Sequence, residues 1–128
     1  LKIMEQIIVL DPEHADALNF VGYSMADEKR DLPRALELIE KAVAIEPDNP
    51  YFLDSLAWAY HRMGQNDKAW DIIRQVVTHP VADPVIWEHY GDIAAALGKK
   101  HEAAEGYKKA LSANPGNADD IRRRKDAL

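Results

Sequence analysis

The 128-residue sequence contains no cysteine, which excludes disulfide bonds, thiolate catalysis and cysteine-based metal sites. Glycine and proline are scarce, with six and seven residues, whereas hydrophobic residues make up 47% of the chain. This composition favours a packed helical core over a disordered chain. No apolar run approaches the ~20 residues of a membrane span, so direct membrane insertion is not expected.

Positive charge is also in deficit. The chain has 22 acidic and 16 basic residues and a net charge of −6, which argues against nucleic-acid binding. The basic run at 122–125 is flanked by Asp119, Asp120 and Asp126. We therefore interpret this run as a solvated helix face.

What the sequence does contain is an internal repeat. Gly22, Ala57 and Gly91 are equivalent small residues spaced 35 and then 34 residues apart, and the runs 50–57 and 84–91 align without a gap. A period of this length is typical of a solenoid of helix pairs. Each unit carries two apolar stripes with i, i+3, i+4, i+7 spacing, which indicates two core-facing helices. The recurring small residues predict the places where the helices of one pair approach closely.

Glycine, proline and short polar residues indicate where the helices end. Gly64 and Gly98 fit the C′ position, where a left-handed backbone is easiest for glycine. Asn49 and Asp83 each precede a proline, as an N-cap residue does. Three further prolines fall just past the second helices and end them: Pro12, Pro47 and Pro115.

Two places depart from the regular unit. The first unit has one extra residue between Asp27 and Pro33, and Lys29 stands where a turn glycine is usual. We expect this turn to be longer or irregular. The second unit has Pro80 one place early and Val81 in the usual proline position, which predicts a bend at the junction.

These residues resemble the tetratricopeptide repeat family. The third unit matches most of the family's pattern through Trp87, Tyr90, Gly91, Gly98, Ala103, Tyr107, Ala110 and Pro115. The resemblance covers essentially the whole chain and implies an all-α fold, a right-handed superhelical solenoid of antiparallel helix pairs.

The resemblance also implies one domain spanning 1–128. It would consist of the second helix of a truncated repeat (1–14), full repeats at 15–49, 50–83 and 84–117, and a C-terminal capping helix (118–128). The chain starts at Leu1 inside an amphipathic pattern, so we expect it to be part of a longer protein. The sequence of these repeats looks like the C-terminal array of a large bacterial repeat protein. The compartment stays open, with the bacterial cell envelope slightly favoured.

The resemblance implies a non-catalytic scaffold that binds a peptide or helix of a partner protein in a concave groove. The residues at the groove-facing positions are Asp16, Asn19, Tyr23, Tyr51, Asp54, Trp58, His61, Arg62, Glu88 and Asp92. Tyr23 and Trp58 lie off the core stripe, and aromatics combined with an Arg are favoured in binding hot spots. The alternative is that both aromatics only fill the superhelical interior. The carboxylates of this set, with Asp27, favour a basic partner.

A rival hypothesis makes the chain a structural spacer or a self-association module. The N-terminal end would expose Leu1, Met4 and Ile8, and a homo-oligomer could form there. Some family members clamp a partner's C-terminal carboxylate with Lys, Asn and Arg side chains. The residues at the corresponding positions here do not form that set, so a partner of this kind is not expected. They are Asn19, Tyr23, Ser55, Val85 and His89.

Enzyme and metal chemistry have little support. His89 and Asp92 have a spacing that a ligand pair could have, but no second His or Glu-x-x-His motif accompanies them. Glu88, Asp92 and Asp54 could lie close together, as acid–base catalysis requires, but no nucleophile or glycine-rich phosphate loop goes with them. We therefore expect no enzyme activity, no cofactor and no metal.

Overall fold

A computed structural model describes residues 2–80 and 82–128, and within these ranges it contains eight α-helices and no strand. The helices are α1 (Lys2–Leu10), α2 (Ala15–Asp27), α3 (Leu32–Ile45), α4 (Pro50–Arg62), α5 (Asn66–Val76), α6 (Pro84–Ala96), α7 (Lys100–Ser112) and α8 (Ala118–Asp126). The predicted all-α fold is confirmed. Leu1 of the expected apolar end and Val81 of the expected bend lie outside the described residues. In the described ranges, no helix combines the length and the apolar character needed to cross a membrane.

The helices form consecutive pairs that stack into a solenoid. Helix α2 packs on α3, α4 on α5 and α6 on α7, while α1 and α8 pack on the two ends. The first helices of the pairs also contact one another, α2 with α4 and α4 with α6. These three helices therefore form one continuous surface of the molecule, which is where the sequence predicts the groove.

Small residues set the distance between the helices of a pair. A Cβ atom built on Gly91 would lie 2.6 Å from the Tyr107 ring, and one built on Gly22 would lie 2.6 Å from Cγ1 of Ile39. A side chain does not fit at that distance without displacing a neighbour. The predicted close contacts are therefore present, and a third lies at Gly106, which faces the backbone of α6.

The predicted helix ends are present as well. Asn49 Oδ1 accepts two backbone N–H groups at 2.9 and 3.2 Å, and Asp83 Oδ1 accepts one at 3.2 Å. Gly64 and Gly98 have φ angles of 80° and 74°, the left-handed conformation that ends α4 and α6. Sequence and structure thus agree on the limits of the helices that form the groove surface.

The turn between α2 and α3 is irregular, as the extra residue predicts. Lys29 and Asp31 have φ angles of 53° and 46°, a left-handed region in which a non-glycine residue is strained. Asp31 also caps α3, because its Oδ1 accepts the Arg34 N–H at 3.4 Å. The extra residue is accommodated by two left-handed residues, and the helix pair stays intact.

Candidate functional site: a groove across three helix pairs

A concave cavity of about 470 Å³ lies on the surface formed by α2, α4 and α6, and α8 forms one of its walls. Its lining combines aromatic, aliphatic and charged side chains. The lining residues are Tyr23, Asp27, Trp58, Arg62, Val85, Glu88, His89, Asp92, Asn117, Asp120 and Arg124. Five of the predicted groove residues are therefore in the cavity wall: Tyr23, Trp58, Arg62, Glu88 and Asp92.

The other five predicted groove residues do not line this cavity. Asp54 is buried beneath the wall with 5% exposure. His61 is half-buried beside Trp58, with ring centroids 4.9 Å apart, and its Nδ1 lies 2.6 Å from Asn66 Oδ1. Three residues lie outside the cavity lining on α2 and α4: Asp16, Asn19 and Tyr51.

The floor of the cavity is built around His89. This side chain is 3% exposed, and its Nδ1 lies 2.9 and 3.0 Å from the two carboxylate oxygens of Asp54. Its Nε2 lies 3.3 Å from Tyr23 Oη, and its ring stacks on Trp58 with centroids 4.1 Å apart. Because the residues come from α2, α4 and α6, one histidine joins all three groove helices.

The environment of His89 favours its charged form. Burial alone lowers the pKa, but the Asp54 carboxylate outweighs it, with Asp92 and Glu88 adding to the effect. The pKa therefore lies above the ordinary value of 6.5. Because this pKa is higher in the folded state, the charged imidazole stabilises the fold at pH values below the unfolded-state pKa. That stabilisation is lost as the pH rises through the folded-state pKa. Burial raises the pKa of Tyr23, and nearby carboxylates raise it further, so this hydroxyl keeps its proton.

Trp58 was expected off the core but is buried, with 7% exposure. Its indole N–H donates to Asp27 Oδ1 at 3.1 Å. Arg62 lies over the ring, 5.6 Å from its centroid, and donates to the backbone oxygens of Ala26 and Asp27 at 3.3 and 2.9 Å. The helical pattern of α4 alone could not show this burial, because Asp27 of α2 and His89 of α6 also cover the ring. Trp58 thus supports the floor, while Tyr23 stays half-buried in the wall.

Arg124 of α8 departs from the interpretation of 122–125 as a solvated face, whereas Arg122 and Arg123 are exposed as expected. Its Nη1 donates to Asp92 at 2.7 and 2.8 Å, and its Nη2 donates to Glu88 at 2.8 Å. Its side chain is 27% exposed. This contact could not be predicted from the basic run, because the carboxylates lie about one repeat earlier, on α6.

The charge of the groove is therefore more balanced than the sequence indicates. Three of the five carboxylates expected to attract a basic partner already pair with a basic side chain of the protein itself. Asp54 pairs with His89, and Glu88 and Asp92 share Arg124. The other two are exposed: Asp16 and Asp27. Within the described residues, no group of three or more His, Asp or Glu side chains could hold a metal ion.

The comparisons with known proteins agree on one family. Two sequence models of the tetratricopeptide repeat match residues 38–71 and 85–117. A TPR repeat-containing protein of Pseudomonas aeruginosa is 35% identical over 91 residues, which are 71% of this chain and 15% of that protein. The tetratricopeptide repeat-containing protein trd-1 of Caenorhabditis elegans is 30% identical over 119 residues, 93% of this chain and 15% of that protein. The chain thus spans 15% of the length of each of these two relatives.

The fold is similar to that of solved structures. The crystal structure of the Sgt2 TPR domain from Aspergillus fumigatus superposes with a TM-score of 0.76 at 25% identity, covering 88% of this chain and 75% of that one. This likeness supports the solenoid fold described above.

Proposed function

This chain belongs to the tetratricopeptide repeat family, and we propose that it is a non-catalytic scaffold that binds a peptide or helical segment of a partner protein in its concave groove. The observation that carries this proposal is the cavity of about 470 Å³ shared by α2, α4 and α6. Solenoids use such concave surfaces for binding.

The groove is suited to binding because its floor is already ordered. The contacts of His89 with Tyr23, Asp54 and Trp58 hold three helices in one arrangement. A surface fixed before the partner arrives loses less conformational entropy on binding. The order of the floor therefore favours recognition by shape over binding coupled to folding.

The exposed groups define the chemistry of the partner. Val85 in the cavity wall is 49% exposed and offers an apolar contact. Asp27 is exposed at the opposite wall, on α2. We expect a partner segment that places an apolar side chain on Val85 and a positive charge near Asp27, which keeps the preference for a basic partner.

The test uses Val85, because changing Trp58 would also remove a buried side chain. In Val85→Glu, a charge enters the cavity without loss of core packing. Ile45→Glu is the matched control, since Ile45 is an exposed β-branched residue at the end of α3 and outside the cavity lining. Both variants should keep the wild-type melting temperature within about 2 °C, as surface changes usually do.

Partner capture from the source organism, quantified by mass spectrometry, then compares the three proteins. Proteins bound in the groove should be retained by wild type and by Ile45→Glu and reduced at least about tenfold on Val85→Glu, a loss that corresponds to one desolvated interface contact. Equal capture by all three proteins would overturn groove binding.

Self-association is the second candidate. Met4 and Ile8, which were expected to be exposed at this end, are partly buried against the core instead, but other side chains of α1 are exposed and favour this candidate. Ile3, Val9 and Leu10 are 71%, 80% and 86% exposed, and apolar surface of this kind marks interaction sites. Light scattering over a concentration series should then show a dimer that Val9→Glu dissociates and Ile45→Glu does not. A monomer at every concentration would remove this candidate.

A further inference from the structure

The residues that contact the Arg124 guanidinium have the features of an arginine-recognition site. Glu88 and Asp92 lie one turn apart on α6 and accept hydrogen bonds from both terminal nitrogens of the guanidinium. The ring of Tyr107 lies beside the group, 5.5 Å from Cζ, and its hydroxyl holds Asp92 by donating at 2.6 Å. Paired carboxylates and an aromatic ring suit a planar guanidinium better than an ammonium group, because the guanidinium can donate to both carboxylates at once and stack on the ring.

The arginine that fills this site belongs to a helix with few other attachments. Within α8, Ile121 is the one buried residue among those described, and Leu128 beyond it is half-buried. In the described structure, Arg124 Nε is buried without a hydrogen-bond partner, which costs free energy. The internal arginine is therefore an imperfect occupant on a weakly packed helix.

The site opens directly into the groove. Asn117, Asp120 and Arg124 line the same cavity as the α2, α4 and α6 residues. Removing Arg124 would leave Glu88 and Asp92 as uncompensated carboxylates facing that cavity. A partner segment that enters the groove thus meets α8 at the same place.

We propose that α8 is an internal competitor for the groove: Arg124 fills an arginine site on α6, and a partner binds by placing its own arginine there and releasing Arg124. This inference rests on the proposed groove function and specifies both its partner and its regulation. The partner segment carries an arginine, and the affinity of the groove is set by how firmly α8 is held.

The test measures binding of a small arginine probe to this site, in the full chain and without a partner protein. The probe is N-acetyl-L-argininamide, with N-acetyl-L-lysinamide for comparison, and binding is followed by NMR chemical shifts of the α6 amides. The variant Arg124→Ala should bind the arginine probe at least about tenfold more tightly than wild type, because the competitor is gone. The lysine probe should show a smaller gain.

Arg122→Ala is the matched control. Arg122 also lies on α8, forms an ion pair with Asp119 outside the cavity lining and is 58% exposed, so its loss should leave probe binding at the wild-type level. Glu88→Gln added to Arg124→Ala should abolish the gain. Should circular dichroism show that Arg124→Ala is misfolded, Arg124→Lys replaces it, with an intermediate gain expected.

Equal binding of the arginine probe by wild type and by the folded Arg124 variant would overturn the proposal, as would an equal gain in Arg122→Ala. The outcome is separable from that of the Val85 experiment. Partner capture that depends on Val85, without a gain in probe binding, rejects the competitor and keeps the groove. A gain in probe binding, with capture indifferent to Val85, rejects groove binding of the partner and keeps the arginine site.

Discussion

Gly106 lies where α7 crosses α6, and its replacement by alanine should destabilise the protein even though alanine is the better helix former. A Cβ atom at this position would lie 2.8 Å from Gly91 N, from Trp87 O and from Tyr90 Cδ1. Two of these atoms belong to the backbone of α6 and cannot rotate away. The helices must therefore separate to admit a single methyl group.

The magnitude follows from two opposing contributions. Alanine in place of glycine inside a helix stabilises by about 0.5–1 kcal/mol. Overpacking at a closed contact costs about 1–3 kcal/mol, and the rigid backbone of α6 places Gly106→Ala in the upper part of that range. The net loss should be about 1–2 kcal/mol, which lowers the melting temperature of a chain of this size by about 3–8 °C.

Thermal and urea denaturation followed by far-UV circular dichroism measures this loss. Glu105 supplies the control, because it is exposed and adjacent on α7. Glu105→Ala should be more stable than Glu105→Gly by about 0.5–1 kcal/mol, which calibrates helix propensity in the same helix. A Gly106→Ala protein that melts at or above the wild-type temperature would refute the close-contact argument.

Three further changes test the groove helices and their ends. Because the pKa of His89 is raised, the melting temperature should fall as the pH rises above about 6.5. Asp54→Asn should flatten this fall, and an unchanged slope in thermal melts would contradict the ion pair. Gly64→Ala should cost about 1 kcal/mol in urea unfolding because of its left-handed backbone, whereas Gly116→Ala, with open space around it, should be near neutral. Asn49→Ala should lose about 1 kcal/mol with the α4 cap, and wild-type stability would show that the two N–H contacts are dispensable.

The features that could be predicted from the sequence are local or periodic. Gly64 and Gly98 indicate helix ends because the constraint lies within one turn, and Lys29 marks the irregular turn for the same reason. Gly22 and Gly91 indicate close contacts because they recur at the repeat period. Each of these signals can be read without knowing which helices lie side by side.

The contacts that build the groove could not be predicted, because they connect different repeats at unequal positions. His89 pairs with Asp54, which lies 35 residues earlier, and the repeat alignment gives these residues different positions within the unit. Arg124 belongs to a helix of mostly charged residues, and its partners lie 32 and 36 residues earlier. A useful sequence signal would be a histidine or arginine one repeat away from an acidic position on the same surface.

The contact of His89 with three helices has a consequence for how this array can evolve. Repeat proteins ordinarily lengthen or shorten by duplicating or deleting interchangeable modules, since each module contacts only its neighbours. Here the first module supplies Tyr23, the second supplies Asp54 and Trp58, and the third supplies His89. Deleting or exchanging the middle one would remove the carboxylate beside a buried histidine, which would then have to lose its proton and find another hydrogen-bond partner. These three modules are expected to be inherited as one unit, so adding repeats at the ends of the array should disturb the groove less than adding them between these modules.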